Sequence, residues 1–143
     1  MRPINALVVH CSATPAGKPF RAADIDRWHR EKGWDSIGYH FVIPLDGSVE
    51  PGRPIAEAGA HVQGHNSDTI GICLIGGLDA TGKKAANTFN ERQLDALELQ
   101  LRALRGRFPQ AQILGHRDFP GVKKDCPSFD VRAWCRARGL DPK

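Results

Sequence analysis

The stretch GHRDFPGVKKDCPSFD, residues 115–130, carries more reactive side chains than a connecting loop needs. His116 follows a short apolar run, and Cys126 lies between a lysine pair and a proline. Imidazole and thiolate groups are zinc ligands in proteins, and a catalytic zinc site uses three protein ligands with the fourth position left to water. The stretch therefore predicts part of a zinc site, provided that a third ligand comes from elsewhere in the chain.

His10 is the candidate for the third ligand. It ends the apolar run ALVVH, and the polar loop CSATPAG follows it. Neighbouring strands that end at His10 and His116 could hold the two imidazoles side by side. A solitary histidine is more often a hydrogen-bonded or surface residue, and a free cysteine is often a small buried hydrophobic group. Spacing alone leaves both interpretations open.

Hydrophobic periodicity predicts the elements that must position these residues. Valine-rich apolar runs indicate buried strands, the Asp46–Gly47 pair indicates a hairpin turn, and leucines at helical spacing after Asn90 and Gln93 indicate a capped helix. The predicted elements are a strand at 5–11, a helix at 23–33, a hairpin at 37–53, a strand at 69–77, a helix at 90–108, a strand at 111–116 and a helix at 128–139. This order predicts an α/β fold in which helices flank a central mixed β-sheet.

Composition limits the class of protein. The chain has 143 residues, of which 41% are hydrophobic and 25% charged, as expected for one globular domain spanning residues 1–143. No apolar run approaches the roughly 20 residues of a membrane span, so no stable membrane insertion is expected. The apolar stretch near the N-terminus is too short for a signal peptide, which predicts synthesis in the cytoplasm. The net charge of +4 favours a polyanionic partner such as a cell-wall polymer, a nucleic acid or an anionic surface.

The four cysteines do not indicate a disulfide framework. None of them forms a C-x-x-C pair, which makes a zinc ribbon or a thioredoxin-like motif a poor interpretation. Cys11 should face away from His10 on a strand, Cys73 lies inside an apolar run, and Cys135 follows Trp134 in the last helix. These three cysteines are predicted to be part of the core.

A nucleotide site is the first alternative. The segment GLDATGKK, residues 77–84, nearly matches the phosphate-binding pattern G-x-x-x-x-G-K-[ST], but Lys84 occupies the position of the hydroxyl residue that would bind Mg²⁺. The residues that follow do not begin a convincing helix. We therefore predict a polar hairpin or loop here.

Several long motifs resemble one family. The strings VVHCSAT, RWHREKGWDSIGYHFVIPLDGSVEPGR, GAHVQGHNSDTIGICLIGG and CPSFDVRAW resemble the zinc-dependent N-acetylmuramoyl-L-alanine amidases of the phage T7 lysozyme type, relatives of the peptidoglycan recognition proteins. The resemblance runs in order from about Ala6 to Trp134. It implies one Zn²⁺ per chain, held by His10, His116 and Cys126. The reaction implied is hydrolysis of the amide between N-acetylmuramic acid and the L-alanine of peptidoglycan.

The resemblance also implies two catalytic residues, Tyr39 and Lys124. A phenol and an ammonium are suitable donors for the oxyanion of a tetrahedral intermediate, and either could help to move protons. The neighbouring Lys123 is predicted to be a solvated charge, with the alternative that the loop presents either lysine to the site. The sequence has no H-E-x-x-H helix, and Glu50 is predicted to be a structural or solvated carboxylate.

The remaining histidines receive different predictions. His61 and His65 could line the groove that receives the glycan or the stem peptide, or they could be exposed loop residues. His29 is predicted to serve packing or to contact solvent. On a strand, His40 would point away from the face that carries Tyr39, so it is predicted to lie outside the site.

Two further roles are alternatives to the enzyme. One is a non-catalytic module that binds peptidoglycan without cutting it, and the presence of all five implied site residues favours the enzyme. The other is regulation of a phage RNA polymerase, which is poorly supported because little chain precedes the first strand. The predicted biology is a phage endolysin acting on the cell wall after release, with a bacterial amidase of wall recycling as the alternative. Peptidoglycan is the expected partner of a monomer, and no nucleic acid is expected.

Overall fold

The computed structural model describes residues 2–143, which form a five-stranded sheet with helices on both faces. The strands are β1 Ala6–Cys11, β2 Thr14–Pro15, β3 Phe41–Ile43, β4 Glu50–Pro51, β5 Thr69–Leu74, β6 Gly77–Leu78 and β7 Gln112–Gly115. The helices are α1 Ala22–Glu31, α2 Glu91–Arg107 and α3 Val131–Ala137, and a short 3₁₀ helix covers His116–Asp118.

The main sheet has the order β4-β3-β5-β1-β7. β3, β5, β1 and β7 run parallel, and β4 pairs antiparallel with β3. β2 and β6 form a separate two-stranded parallel pair. The predicted α/β fold with a mixed central sheet is therefore confirmed. β1 is an interior strand, with the parallel neighbours β5 and β7 on its two sides.

Alternation along β1 assigns its side chains to two layers. Leu7, Val9 and Cys11 pack in the large cluster that also contains the leucines of α2 and the buried residues of α3. Ala6 and Val8 lie on the opposite face, where they pack with Val62. His10 continues that second series, so an almost fully buried imidazole stands at the end of a strand that is covered on both faces.

α2 begins and packs as its sequence predicts. The Asn90 side chain accepts a hydrogen bond from the Gln93 backbone N–H, and the Gln93 side chain accepts one from the Asn90 N–H, which satisfies free donors of the first turn. The Gln93 amide is fully buried and donates to the carbonyl oxygens of Ile43 and Ile75. The helix start is thereby bonded to the ends of β3 and β5. Leu97, Leu101 and Leu104 form its buried stripe.

Two predicted strand regions are shorter in the structure. The hairpin at 37–53 contains only β3 and β4, and residues 37–40 precede the first strand. The strand predicted at 69–77 ends at Leu74, and Gly76 and Gly77, both with positive φ, lead the chain into β6. Glu50 has the predicted structural role, because its carboxylate accepts hydrogen bonds from the Ala22 N–H and the Arg21 guanidinium at the start of α1.

The structure also places three of the four cysteines in the core. Cys11, Cys73 and Cys135 are buried, as predicted for core residues. Among residues 2–143, no helix combines the length and the apolar character needed to cross a bilayer.

His29 predicts how stability depends on pH. Its buried Nδ1 accepts a hydrogen bond from the Gly38 N–H, and burial, with Lys32 and Arg53 nearby, lowers its pKa. The unfolded chain takes up the proton at a higher pH than the folded chain, so this contribution is complete above about pH 6.5 and is lost as the pH falls below it. Urea unfolding at about pH 7.5 and about pH 5.5 should show a smaller stability loss for His29→Asn than for the parent chain. An equal loss in both proteins would contradict the assignment to His29.

Candidate metal centre

Two parallel strands bring His10 and His116 together. β1 pairs with β7 in a register that sets Val9 opposite Gly115, and the residue that follows each of these two in the chain is a histidine. The two imidazole centroids lie 4.6 Å apart. His116 begins the short 3₁₀ helix, where the Asp118 carboxylate accepts a hydrogen bond of 2.8 Å from the Gly115 N–H. The pairing of β1 with β7 fixes the backbone at His10, and the hydrogen-bonded turn after β7 fixes the backbone at His116.

The loop after β7 returns Cys126 to the same place. The Arg117 N–H donates to the Cys126 carbonyl oxygen at 2.9 Å, which holds the two halves of the loop against each other. The Cys126 sulfur accepts a hydrogen bond of 3.2 Å from the Cys11 N–H and lies 3.9 Å from His10 Nδ1. The ligand atoms of His10, His116 and Cys126 all lie within 4.8 Å of one another.

These distances fit a zinc ion. Bonds of about 2.0–2.3 Å in a tetrahedron place ligand atoms roughly 3.3–3.8 Å apart, and the Cys126–His10 pair is already at 3.9 Å. Two nitrogens and one sulfur make a donor set that zinc accepts, with one position left open. The three residues can therefore hold a metal after small side-chain movements.

The electrostatic surroundings keep both imidazoles neutral, as a metal ligand requires. Burial, with His61 and His116 nearby, lowers the pKa of His10 well below its usual range. Burial and the Lys124 ammonium lower the pKa of His116. The hydrogen bond with the Cys11 side chain and burial raise the pKa of the Cys126 thiol. A bound cation would oppose that last shift, because a coordinating thiol loses its proton.

Tyr39 lies beside the candidate ligands. Its ring centroid is 5.0 Å from that of His10 and 5.7 Å from that of His29. Burial raises the pKa of the Tyr39 phenol well above its usual value, and the cysteines at the site act in the same direction. The residue therefore stays a phenol at neutral pH, suited to donate a hydrogen bond.

Lys124 is exposed at the rim of a groove of about 740 Å³ that is also lined by the candidate ligand His116. Its ammonium is close enough to His116 to affect the pKa of that imidazole. Lys123 lines the same groove, so the loop presents both lysines to it. Trp34 and Phe119 supply exposed or partly exposed aromatic surface on its walls.

His61 and His65 both line this groove, but their surroundings differ. His65 is exposed and its ring packs against Phe119, with centroids 4.9 Å apart. His61 is only partly exposed, and its Nδ1 lies 2.8 Å from His10 Nε2. Sequence reasoning missed this contact with a candidate metal ligand, and nothing in the spacing of the two histidines indicates it.

His40 is not among the candidate metal ligands, but the strand alternation on which its prediction was based does not apply. β3 begins only at Phe41, so strand alternation does not separate His40 from Tyr39. The centroids of both rings lie near that of His61, at 5.8 Å for His40 and 6.5 Å for Tyr39. His40 is buried behind His61, and its Nδ1 accepts a hydrogen bond from the Gly71 N–H.

The segment 77–84 has the geometry of a closed polar turn. The Asp79 carboxylate accepts hydrogen bonds from the backbone N–H groups of Thr81 and Lys83 at 3.1 and 3.2 Å. The protein's own carboxylate thus occupies donors that a phosphate-binding loop would present to a nucleotide. The structure agrees with the rejection of a nucleotide site.

Comparison with known proteins identifies the family. The family model described as N-acetylmuramoyl-L-alanine amidase matches residues 1–129. The chain belongs to the N-acetylmuramoyl-L-alanine amidase family. The family predicted from the sequence motifs is thereby confirmed, and the same match supports the predicted enzyme class over a nucleotide-binding protein.

Relatives and solved structures agree with this amidase assignment. The chain is 47% identical to the endolysin of Enterobacteria phage K11, over 92% of this chain and 85% of that protein. It is 41% identical to the endolysin of Escherichia phage T7, over 91% and 84%. The structure of N-acetylmuramoyl-L-alanine amidase LysC from Clostridium intestinale matches with a TM-score of 0.80 at 25% identity, over 98% of this chain and 88% of that one. A point mutant of Drosophila PGRP-LB in complex with tracheal cytotoxin matches with a TM-score of 0.77 at 25% identity, over 100% and 86%.

Proposed function

We propose that this amidase hydrolyses the amide between N-acetylmuramic acid and L-alanine of peptidoglycan during phage lysis, with one zinc ion per chain. The observation that carries the proposal is the convergence of His10, His116 and Cys126 in a chain that belongs to this family. The endolysin relatives support lysis as the setting.

Zinc is proposed from the donor set. Two imidazole nitrogens and one thiolate sulfur suit zinc better than the hard cations Mg²⁺ and Ca²⁺, which take oxygen ligands. Zinc bound here would supply Lewis-acid activation of water and of the scissile carbonyl group. Three protein ligands leave room for a substrate group at the open face of the groove.

Tyr39 and Lys124 are proposed to stabilise the charge that develops on the carbonyl oxygen. The Tyr39 phenol keeps its proton because burial raises its pKa, so it donates a hydrogen bond from the wall beside His10. The Lys124 ammonium approaches from the rim beside His116. Donors placed before the reaction stabilise an oxyanion more than mobile water does, because they need no reorganisation.

The groove is proposed to receive the glycan and the stem peptide on either side of the scissile amide. His65, Phe119 and Trp34 supply ring surfaces for packing, and Lys123 adds a positive charge. The carboxylates of a stem peptide complement this charge, in keeping with the net charge of +4. Of His61 and His65, which were both predicted to line the groove, His65 is the exposed one and is proposed to contact substrate.

Identification of the chain ends released from purified peptidoglycan tests the reaction. Cleavage by an amidase creates new L-alanine amino termini and leaves the number of reducing sugar ends unchanged. New reducing ends would instead indicate a glycosidase. Binding to peptidoglycan without new ends of either kind would favour the non-catalytic binding module, and the roles proposed for Tyr39 and Lys124 would fall.

A further inference from the structure

The nitrogen of His10 that faces away from Cys126 begins a chain of hydrogen bonds. His10 Nε2 lies 2.8 Å from His61 Nδ1, and His61 Nε2 lies 3.2 Å from the Thr69 hydroxyl. The Thr69 hydroxyl in turn lies 2.8 Å from the carbonyl oxygen of His65. Four groups from three parts of the chain are thus connected in one line that ends at a backbone atom.

The last group fixes the direction of every bond in this chain. A carbonyl oxygen can only accept, so the Thr69 hydroxyl donates to His65 and its oxygen accepts from His61 Nε2–H. A neutral imidazole with its proton on Nε2 has its lone pair on Nδ1. His61 Nδ1 therefore accepts from His10 Nε2–H. The lone pair of His10 is then on Nδ1, the atom 3.9 Å from the Cys126 sulfur.

The fold holds His61 where this contact is possible. A Cβ atom at Gly71 of β5 would lie 2.7 Å from His61 Cγ, and a Cβ atom at Gly59 would lie 2.7 Å from its Cδ2. The ring therefore packs against the backbone at Gly59 and Gly71, where the side chain of any other residue would clash with it. The Asn66 side chain accepts a hydrogen bond of 3.0 Å from the His61 N–H, which fixes the start of the loop.

We infer that His61 is a positioning residue of the metal centre, which with Thr69 holds His10 in the Nε2-protonated tautomer and directs the Nδ1 lone pair at the metal. The inference rests on the proposed zinc site, and it reassigns His61 from the substrate groove to the support of a ligand. The hydrogen-bond partners of metal-binding histidines set tautomer and ring orientation, and their loss typically lowers metal affinity about 10–100-fold.

Three variants separate this role from simple packing. His61→Phe keeps a ring but removes the acceptor, and His61→Asn restores an oxygen near the position of Nδ1. Thr69→Val removes the hydroxyl from a buried site with little change in shape. His65→Ala is the matched control, because it removes a neighbouring imidazole of the groove and keeps the backbone carbonyl that ends the chain.

The first readout is the tautomer of His10, measured by long-range ¹H–¹⁵N correlation spectra of the full chain freed of metal. The parent protein and His65→Ala should show the Nε2–H form alone. His61→Phe should populate the Nδ1–H form, and His61→Asn should return the population toward that of the parent. Thr69→Val removes the group that accepts from His61 Nε2–H, and His10 should populate the Nδ1–H form in this variant as well. It therefore tests the same hydrogen-bond directions if His61→Phe fails to fold.

The second readout is zinc affinity, measured by competition with a chelator. His61→Phe should bind zinc about 10–100-fold more weakly, with recovery in His61→Asn and no change in His65→Ala. A parent-like tautomer and parent-like zinc affinity in His61→Phe and Thr69→Val would overturn the inference. Failure of the proposed function has a different signature, since a protein with no amidase activity could still show the fixed tautomer.

Discussion

Replacing Cys126 with serine is expected to remove zinc binding and amidase activity together. The thiolate is one of three proposed ligands, and a hydroxyl is a much poorer zinc ligand at neutral pH. We expect zinc content after dialysis to fall from one ion per chain to near zero, and peptidoglycan cleavage to fall to background. Elemental analysis and the chain-end assay on the same sample measure the two effects.

Cys135→Ala is the matched control for Cys126→Ser. Cys135 is a buried thiol of α3 that packs in the core cluster, so its loss should lower stability and leave zinc content at one per chain. Full zinc content and activity in Cys126→Ser would contradict the proposed ligand set. Loss of zinc in both variants would indicate that unfolding, rather than loss of a ligand, explains the result.

Lys124→Ala is expected to lower kcat about 10²–10³-fold while zinc remains bound, the range typical for the loss of one oxyanion donor. The physical reason is that the ammonium stabilises charge that exists only in the transition state, so KM should change far less than kcat. Rates measured on the zinc-loaded variant with a soluble muropeptide separate kcat from KM. A parent-like kcat with full zinc content would remove Lys124 from the proposed mechanism.

Lys123→Ala is the control that assigns this effect to one of two neighbouring lysines. Both side chains line the groove, but it is Lys124 that affects the pKa of His116. Lys123→Ala should therefore have a much smaller effect on kcat than Lys124→Ala. Equal losses in the two variants would indicate a general effect of positive potential on binding of an anionic substrate.

Local patterns predicted the elements that position the site. The capping residues Asn90 and Gln93 and the leucine stripe of α2 depend on contacts within one helix, and the structure contains them. Runs such as ALVVHC are buried on both faces, which a continuous apolar pattern indicates directly. β1 and β7 pair in parallel, which confirms the prediction that His10 and His116 lie at the ends of neighbouring strands.

The contacts that the sequence could not predict depend on how distant segments of the chain pack together. The contact of His61 with His10 depends on β5 lying beside β1, with Gly71 leaving room for the imidazole. Fifty-one positions separate the two histidines, and no local pattern encodes their contact. Alternation also could not place His40, because it applies only once a strand has begun and β3 begins at Phe41.

Titration of zinc into the metal-free protein, with peptidoglycan cleavage followed at each step, tests the account most directly. We predict that chelation abolishes the release of L-alanine amino termini, and that activity returns in proportion to added zinc and saturates at one ion per chain. Undiminished cleavage by protein shown to contain no metal would contradict the account.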